Sequence, residues 1–80
     1  MDKNEFEDKW KLIRSQSQKW WSQITDADLE KIDKAEIKFL QYLTLLQRKY
    51  RYDRQMAKDE IVRRVAEYES NAGANAVTIP

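Results

Sequence analysis

Helix-breaking residues are almost absent from this chain, because its 80 residues include one Gly and one Pro. Both of them, Gly73 and Pro80, lie close to the C-terminus. The rest of the sequence is rich in Lys, Glu, Gln, Leu, Arg and Ala, which are fair to good helix formers. We therefore predict an all-α fold with a single domain over 1–70, whose helices begin and end at capping residues. The remaining residues, 71–80, are predicted to form a flexible tail.

The first helix is predicted to begin at Asn4, with Glu7 as the partner in a capping box. Its apolar residues recur at steps of three and four, so one helix face holds Phe6, Trp10, Ile13, Ser17, Trp20 and Ile24. The small side chain of Ser17 indicates either a close approach to another helix or a break into two helices near 15–18. The bundle therefore has four helices, or five if that break exists.

The second helix has the clearest start signal in the chain. Thr25 is an N-cap candidate, and Asp26 and Asp28 lie in the first turn, where the helix dipole favours negative charge. Ile24 and Leu29 are spaced as a hydrophobic staple. These residues predict a helix over 26–33. They lack the glycine turn and the distal bidentate Glu of a calcium loop, so we interpret them as capping residues and predict no metal site.

The third helix is predicted over 34–50, and apolar residues cover an unusually wide part of its surface. Such a helix either lies at the centre of a bundle or presents a patch to a partner. Trp20 and Trp21 pose the same question, because neighbouring residues lie about 100° apart on a helix. Trp20 falls in the core register and Trp21 at its edge. The candidate partner surface consists of Trp21, Tyr42 and Leu45.

The last helix is predicted to begin after Asp53, which is its N-cap candidate, with Tyr52 and Ala57 as the staple. Its predicted buried face contains Ala57, Ile61, Val65 and Tyr68, and Val62 broadens it.

The turn before this helix interleaves two tyrosines with four cations, Arg48, Lys49, Arg51 and Arg54. Cations contact phosphates and aromatic rings stack on bases, so these residues are a candidate nucleic-acid interface. A solvated turn is the favoured interpretation, because cations also interact well with the C-terminal end of a helix.

Two missing residue types restrict the chemistry of the chain, which has no Cys and no His. Disulfides, thiol nucleophiles, the usual zinc sites and the Ser-His-Asp arrangement are thereby excluded. Carboxylates, Lys, Tyr and Ser remain, on a chain too short to enclose much of a cleft. We therefore predict that the protein is not an enzyme and has no catalytic residue, no cofactor and no small-molecule substrate.

Charges of both signs are spread along the whole chain, with 15 basic and 14 acidic residues and a net charge of +1. This balance differs from the basic arms and acidic tails that mark polyelectrolyte partners. No apolar run approaches the roughly 20 residues that span a bilayer, and the N-terminus lacks the pattern of a secretory signal. We therefore expect a cytoplasmic protein that does not bind membranes.

Two blocks of this sequence carry ordered patterns of aromatic, acidic and apolar residues. The first block is Trp10-Lys11, Trp20, then 24–29 and Ile32, which follow the pattern W-K, W, (L/I)-T-D-x-D-L-x-x-I. The second block is 46–50, Tyr52, Ala57 and Glu60-Ile61, which follow L-Q-x-(R/K)-Y-G-Y and A-x-x-E-(V/I). Together the blocks cover about residues 8–65, and they resemble the CsbD-like family of bacterial general stress-response proteins.

This resemblance implies a fold like that of SAM domains, with two helical hairpins packed crosswise, and a cytosolic role under general stress. It implies no catalytic residue. The chain departs from the family pattern at Lys34 and Arg51, where the family carries Gly, and its stretch between Ile32 and Tyr50 is about three residues longer. If the turn at Arg51 keeps its geometry, this residue must take a positive φ.

The function predicted from the sequence is that of a non-enzymatic stress-response protein that acts through a protein partner or through self-association. The alternative is a nucleic-acid-binding helical module that uses the cations of the turn between the third and the last helix.

Overall fold

The computed structural model describes the backbone of residues 1–78 and the side chains of residues 1–71. Within this range the chain forms helices joined by short connections and contains no β-strand, which confirms the all-α prediction. The five helices are α1 Lys3–Asp8, α2 Trp10–Trp20, α3 Asp26–Asp33, α4 Lys38–Tyr50 and α5 Arg54–Thr78. A flexible tail was predicted for 71–80. Beyond Asn71, this prediction concerns residues whose side chains lie outside the described part of the chain.

The first helical segment is divided at Lys9, so the bundle has five helices. Asp2 caps α1, because its Oδ1 accepts a hydrogen bond from the Glu5 backbone N–H at 2.8 Å. The prediction of an N-cap at Asn4 was therefore wrong, since a suitable acceptor lies two residues earlier. At Lys9 the backbone leaves helical values (φ −96°, ψ 7°). The helix then continues through 15–18, so Ser17 marks a close approach and not a break.

The second predicted helix is confirmed, with the predicted cap. The Thr25 hydroxyl accepts from the Asp28 backbone N–H at 3.2 Å, and the Asp28 carboxylate accepts from the Thr25 backbone N–H at 3.0 Å. Ile24 and Leu29, the predicted staple, are both buried. The helix ends at Lys34, whose φ of −92° is an ordinary value that needs no glycine.

The helix predicted over 34–50 begins later than expected, at Lys38, after an extended Ile37 (φ −122°, ψ 95°). The chain turns between α3 and α4, and the Ala35 N–H donates to the carbonyl of Ile32 at 3.0 Å. The prediction failed at its first turn because α3 and α4 pack against each other, which requires a change of direction that no Gly or Pro signals.

Helix α4 lies at the centre of the bundle, in contact with α1, α3 and α5. Its wide apolar surface is used inside the molecule, which settles the question that its sequence pattern left open. The buried residues of α4 are Phe39, Tyr42, Leu43, Leu45 and Leu46. On the remaining side of the helix, Leu40 is 45% exposed.

The positions of the adjacent tryptophans are the reverse of the prediction. Trp21 is 2% exposed, whereas Trp20 is only partly buried. Helix α2 ends at Trp20, and Trp21 has extended backbone angles (φ −136°, ψ 99°). The spacing of 100° between helical neighbours therefore does not apply, and the end of the helix turns the Trp21 indole into the core.

The last helix begins as predicted, because the Asp53 carboxylate accepts from the Met56 backbone N–H at 2.7 Å. Ala57, Ile61 and Val65 are buried, as expected. Tyr68 and Val62 were predicted to join them but are 37% and 41% exposed. The buried stripe of α5 is thus narrow, with a step of four residues between its members.

Arg51 connects α4 to α5 in a left-handed conformation, with φ 58° and ψ 29°. Among the non-glycine residues of the described chain, Arg51 alone has a positive φ. The resemblance described above implies a positive φ here if the turn keeps its geometry, and the observed φ agrees with that expectation. A non-glycine residue in this region is destabilised by contacts of its Cβ atom, which glycine lacks.

We expect Arg51→Gly to raise the free energy of unfolding by about 0.5–1 kcal/mol, because relief of the left-handed strain exceeds the added entropy of the unfolded chain. The midpoint of thermal unfolding, followed by circular dichroism, should rise by roughly 2–8 °C. Lys34→Gly is the matched control, since the backbone there already has a negative φ. Equal stabilisation by both substitutions would contradict this explanation.

Candidate functional site

The three residues of the candidate partner surface are buried inside the chain. Trp21 is 2% exposed, Tyr42 0% and Leu45 4%. They cannot form a binding surface in this structure, so that prediction was wrong. The physical reason is that α4 is covered on several sides, and its wide apolar face meets the other helices instead of an external partner.

Tyr42 forms the only polar contact in the middle of this core among the described side chains. Its hydroxyl donates to Ser17 Oγ at 2.7 Å, and Ser17 Oγ donates to the carbonyl of Ile13 at 2.6 Å. Burial raises the pKa of Tyr42 well above its usual value, although the Ser17 hydrogen bond opposes this change. The phenol therefore stays neutral, and the pair serves to hold α2 against α4.

We expect Ser17→Ala to destabilise the protein more than Tyr42→Phe does. Ser17→Ala leaves a buried Tyr42 hydroxyl without its acceptor, which costs about 1–3 kcal/mol, whereas Tyr42→Phe leaves the Ser17 bond to Ile13 intact and costs about 1 kcal/mol. Urea unfolding of both variants and of the double variant measures these values. The double variant should lose less than the sum, and simple additivity would show that the two hydroxyls are not coupled.

The four cations at the turn between α4 and α5 fall into two groups, one that pairs with other residues and one that is exposed. Lys49 is engaged, because its Nζ lies 2.8 Å from Asp28 Oδ2 and donates to the carbonyl of Gln23 at 2.7 Å. Arg48, Arg51 and Arg54 are exposed. None of these three takes part in the ion pairs found among the described side chains.

The two tyrosines of this turn are packed against each other. The rings of Tyr50 and Tyr52 stack with their centroids 5.7 Å apart and 20° between their planes. The Tyr50 hydroxyl also accepts from the Gln23 backbone N–H at 3.0 Å. Lys49 and Tyr50 together therefore hold the loop between α2 and α3. Their commitment to this loop leaves the arginines as the accessible part of the predicted interface.

The carboxylates near the start of α3 serve the fold, in agreement with the capping interpretation. Burial of Asp28 favours its neutral form, but hydrogen bonds from Lys49 and Thr25 outweigh this effect and lower its pKa. Gln18 donates to the carboxylate of Asp26 at 3.0 Å, which joins α2 to the first turn of α3.

Asp33 anchors α2 to the end of α3, a role that no pattern in the sequence indicates. The Arg14 Nε donates to both carboxylate oxygens of Asp33, at 2.9 and 3.0 Å, and Trp10 Nε1 donates to Oδ1 at 2.7 Å. The hydrogen bonds from Arg14 and Trp10 lower the pKa of Asp33. Partners separated by 19 and 23 residues meet only through the packing of the helices.

We expect the free energy of unfolding to fall as the pH is lowered below about 4, the pKa of Asp in unfolded chains. Asp28 and Asp33 have lowered pKa values in the folded protein, so the unfolded chain binds more protons as the pH falls. Their contribution is thus present above this pH and lost below it. Urea unfolding at a series of pH values measures the slope.

Asp33→Asn should make the loss of stability at acid pH less steep. Asp8→Asn is the control, because Asp8 is exposed and makes no hydrogen bond or ion pair among the described side chains. An equal effect of both substitutions would show that general charge, and not the contact with Arg14 and Trp10, sets the slope.

A cluster that the sequence analysis missed lies where the end of α2 meets α5. It consists of Trp20, Trp21, Arg64 and Tyr68, and we call it the α2–α5 aromatic cluster. Trp20 packs edge-on against Trp21 and Tyr68, with ring centroids 6.0 and 6.4 Å apart. The guanidinium carbon of Arg64 lies 5.4 Å from the centre of the Trp21 ring, in a cation–π contact.

Two donors of this cluster are buried without an acceptor. Within the described part of the chain, neither Trp21 Nε1 nor Arg64 Nε has a hydrogen-bond partner. Glu60 Oε2 is 3.9 Å from Arg64 Nε, and Glu60 is held by Arg63, whose Nη2 lies 2.6 Å from the same oxygen. Buried donors without partners are uncommon in proteins, so each one requires an explanation.

A shallow depression of about 230 Å³ lies between α1 and the start of α4. Its lining residues are Lys3, Asn4, Glu7, Glu36, Ile37 and Lys38. Ligand pockets usually exceed this volume and are mostly apolar. No cluster of three acidic side chains that could hold a metal ion occurs in the part of the chain that the structure describes. None of its helices has the length and apolar character needed to cross a membrane.

No protein-family model, curated protein or solved structure matches this chain. The resemblance to CsbD-like proteins, and the crosswise packing of hairpins that it implies, therefore stay predictions.

Proposed function

We propose that this protein is a non-enzymatic, CsbD-like bacterial stress-response protein of the cytoplasm, which acts by binding a protein partner or by self-association. It uses no cofactor and no small-molecule substrate. The proposal rests on one structural observation. The acidic side chains and the tyrosine whose pKa values are displaced make contacts that hold the helices in place.

The displaced pKa values illustrate this commitment. The pKa of Asp28 is lowered by its bonds to Lys49 and Thr25, that of Asp33 by Arg14 and Trp10, and that of Tyr42 is raised by burial. In an enzyme, such groups face a cleft in which a substrate can reach them. Here they lie between helices, and this arrangement supports a role in binding over a role in catalysis.

The backbone gives independent support to the family resemblance. Arg51 has a positive φ at the position where the family pattern carries Gly, as a conserved turn geometry requires. The block around Thr25 also forms the capped helix that its sequence predicts. Lys34, the other departure from the pattern, has a negative φ, so its replacement of Gly is compatible with the same path of the chain.

The proposal is tested by capture of partners from stressed and unstressed bacterial cells with a tagged copy of the protein. We expect a defined protein to be enriched under stress, or the protein itself if it self-associates. Sedimentation at increasing protein concentration separates these two cases. A strict monomer that captures nothing above the background of an unrelated tagged helical protein would contradict the proposal.

Variants for this test must avoid the core, because a charge at Trp21 or Leu45 would be buried and would unfold the protein. Leu40→Glu and Met56→Glu are suitable, since these side chains are 45% and 48% exposed. If self-association uses exposed apolar groups of α4 or α5, one of these variants should weaken it while circular dichroism stays unchanged.

The exposed arginines favour a second candidate function, nucleic-acid binding. Arg48, Arg51 and Arg54 are accessible and outside the described ion pairs, whereas Tyr50 is committed to the loop between α2 and α3. This pattern supports contacts to phosphates without base stacking. Fluorescence anisotropy with labelled DNA at about 50 mM salt tests it, because electrostatic affinity is highest at low ionic strength. Binding that Arg51→Glu with Arg54→Glu does not weaken would exclude this surface.

A further inference from the structure

We propose that the α4–α5 corner, defined as residues 47–58, is the surface that binds the protein partner, and that it recognises a short acidic segment of that partner. This inference rests on the proposed function, because it names the chemistry of the partner. Three exposed arginines of the corner, Arg48, Arg51 and Arg54, provide the contacts. In the second candidate function the same arginines contact phosphates, so protein and nucleic acid are alternatives for one surface.

The corner carries a local excess of positive charge that the balanced composition of the whole chain conceals. Residues 47–58 contain five cations and a single carboxylate, that of Asp53, whereas the rest of the chain contains ten basic and 13 acidic residues. Lys49 is paired with Asp28, and the corner keeps a net charge of +3 when Lys49 is left out for this reason. Carboxylates complement such a surface, and the opposite charge speeds the encounter with a partner.

The three arginines are accessible from outside and lie close together along the chain. Each of them is exposed, and none takes part in an ion pair among the described side chains. Arg48 and Arg54 are each three residues from Arg51, so their Cα atoms lie within about 11 Å of its Cα atom. An extended segment of about six residues covers a comparable distance, at roughly 3.3 Å per residue. A short acidic segment can therefore offer each arginine a carboxylate of its own.

Contacts of the neighbouring residues hold the backbone of the corner in place. Lys49 and Tyr50 bind the loop at Gln23, with distances of 2.7 and 3.0 Å between the hydrogen-bonded atoms. On the other side of the turn, the Asp53 carboxylate accepts from the Met56 backbone N–H at 2.7 Å. A backbone that is already ordered lowers the entropy lost on binding, so only the arginine side chains must become ordered when a partner binds.

The surroundings of the arginines favour an acidic protein segment over nucleic acid. The rings of Tyr50 and Tyr52, which could stack on bases, are stacked on each other. A nucleic acid also extends beyond the corner, and the rest of the chain has a net charge of −3, which repels phosphates. A short acidic segment stays within the corner, where the paired N–H groups of each guanidinium match the two oxygens of a carboxylate.

The test follows the backbone and arginine Nε–H signals of residues 48–54 by NMR in the ¹⁵N-labelled protein. The probe is an acetylated and amidated peptide of about six Glu residues, and its matched control carries Gln in place of every Glu. Titration extends to about 10 mM peptide at about 50 mM salt, because each exposed ion pair contributes little and is screened by salt. At matched ionic strength, we expect these signals to shift in a saturable way with the Glu peptide and at least several-fold less with the Gln peptide.

Two triple variants with the same change in net charge decide whether the site is the one proposed. The arginine variant removes the three exposed cations of the corner by the substitutions Arg48→Gln, Arg51→Gln and Arg54→Gln. The lysine variant removes three exposed cations of other helices by the substitutions Lys11→Gln, Lys19→Gln and Lys31→Gln. We expect the arginine variant to weaken the response at least several-fold and the lysine variant to keep most of it. Circular dichroism confirms that each variant is folded, and the single variants Arg48→Gln and Arg54→Gln should each lose part of the response.

Several results would overturn the inference. These are unshifted signals at the highest peptide concentration, an equal response to the Glu and Gln peptides, an unchanged response in the folded arginine variant, and an equal loss in both triple variants. Tighter binding of a single-stranded oligothymidine of the same charge would overturn it in favour of nucleic acid. Tighter binding of inorganic phosphate than of the Glu peptide, at equal ionic strength, would overturn it in favour of a phosphate site.

The same variants separate this inference from the proposed function. If the wild-type protein and the arginine variant capture the same partner from stressed cells, the partner binds elsewhere and only the assignment of the surface fails. If the wild-type protein captures no partner and stays a strict monomer, the proposed function fails, whatever the peptide titration gives. Loss in the arginine variant of a partner that the lysine variant keeps supports both, provided that the partner carries an acidic segment that competes with the Glu peptide.

Discussion

The ring of Tyr42 is the contact around which the bundle is organised. It meets Phe6 of α1, Trp10 of α2 and the adjacent Trp21 with centroid distances of 5.4, 5.9 and 5.9 Å. Its hydroxyl requires a hydrogen bond at this depth, and Ser17 is small enough to let α2 approach and supply it. The position of α4, and thus of the turns on either side of it, depends on this one packed and satisfied ring.

Charged residues add contacts between helices at the edges of the core. Asp33 receives Trp10 and Arg14, while Lys49 joins Asp28 and the loop at Gln23. Exposed ion pairs contribute little to stability, but shared carboxylates with several donors fix how two helices meet. The chain thus uses its many charges to define geometry at the edges of a small core. This use explains the lowered pKa values of Asp28 and Asp33.

The three residues predicted to form a partner surface lie inside the folded chain. A wide apolar face on α4 and a tryptophan doublet are both typical of binding surfaces, yet the bundle covers α4 and the end of α2 buries Trp21. At the end of α2, Trp20 contacts Tyr68 and Trp21 contacts Arg64, and the members of each pair are more than 40 residues apart along the chain.

Local chemistry in the sequence determined the helical class and the caps at Thr25 and Asp53, since each depends on residues within one or two turns. Tertiary structure alone decided the break at Lys9, the turn before Lys38, the exchange of roles between Trp20 and Trp21, and the anchor at Asp33. These features arise when helices distant in sequence compete for the same buried space. A periodic pattern shows which face of a helix is apolar, but only packing shows what covers that face.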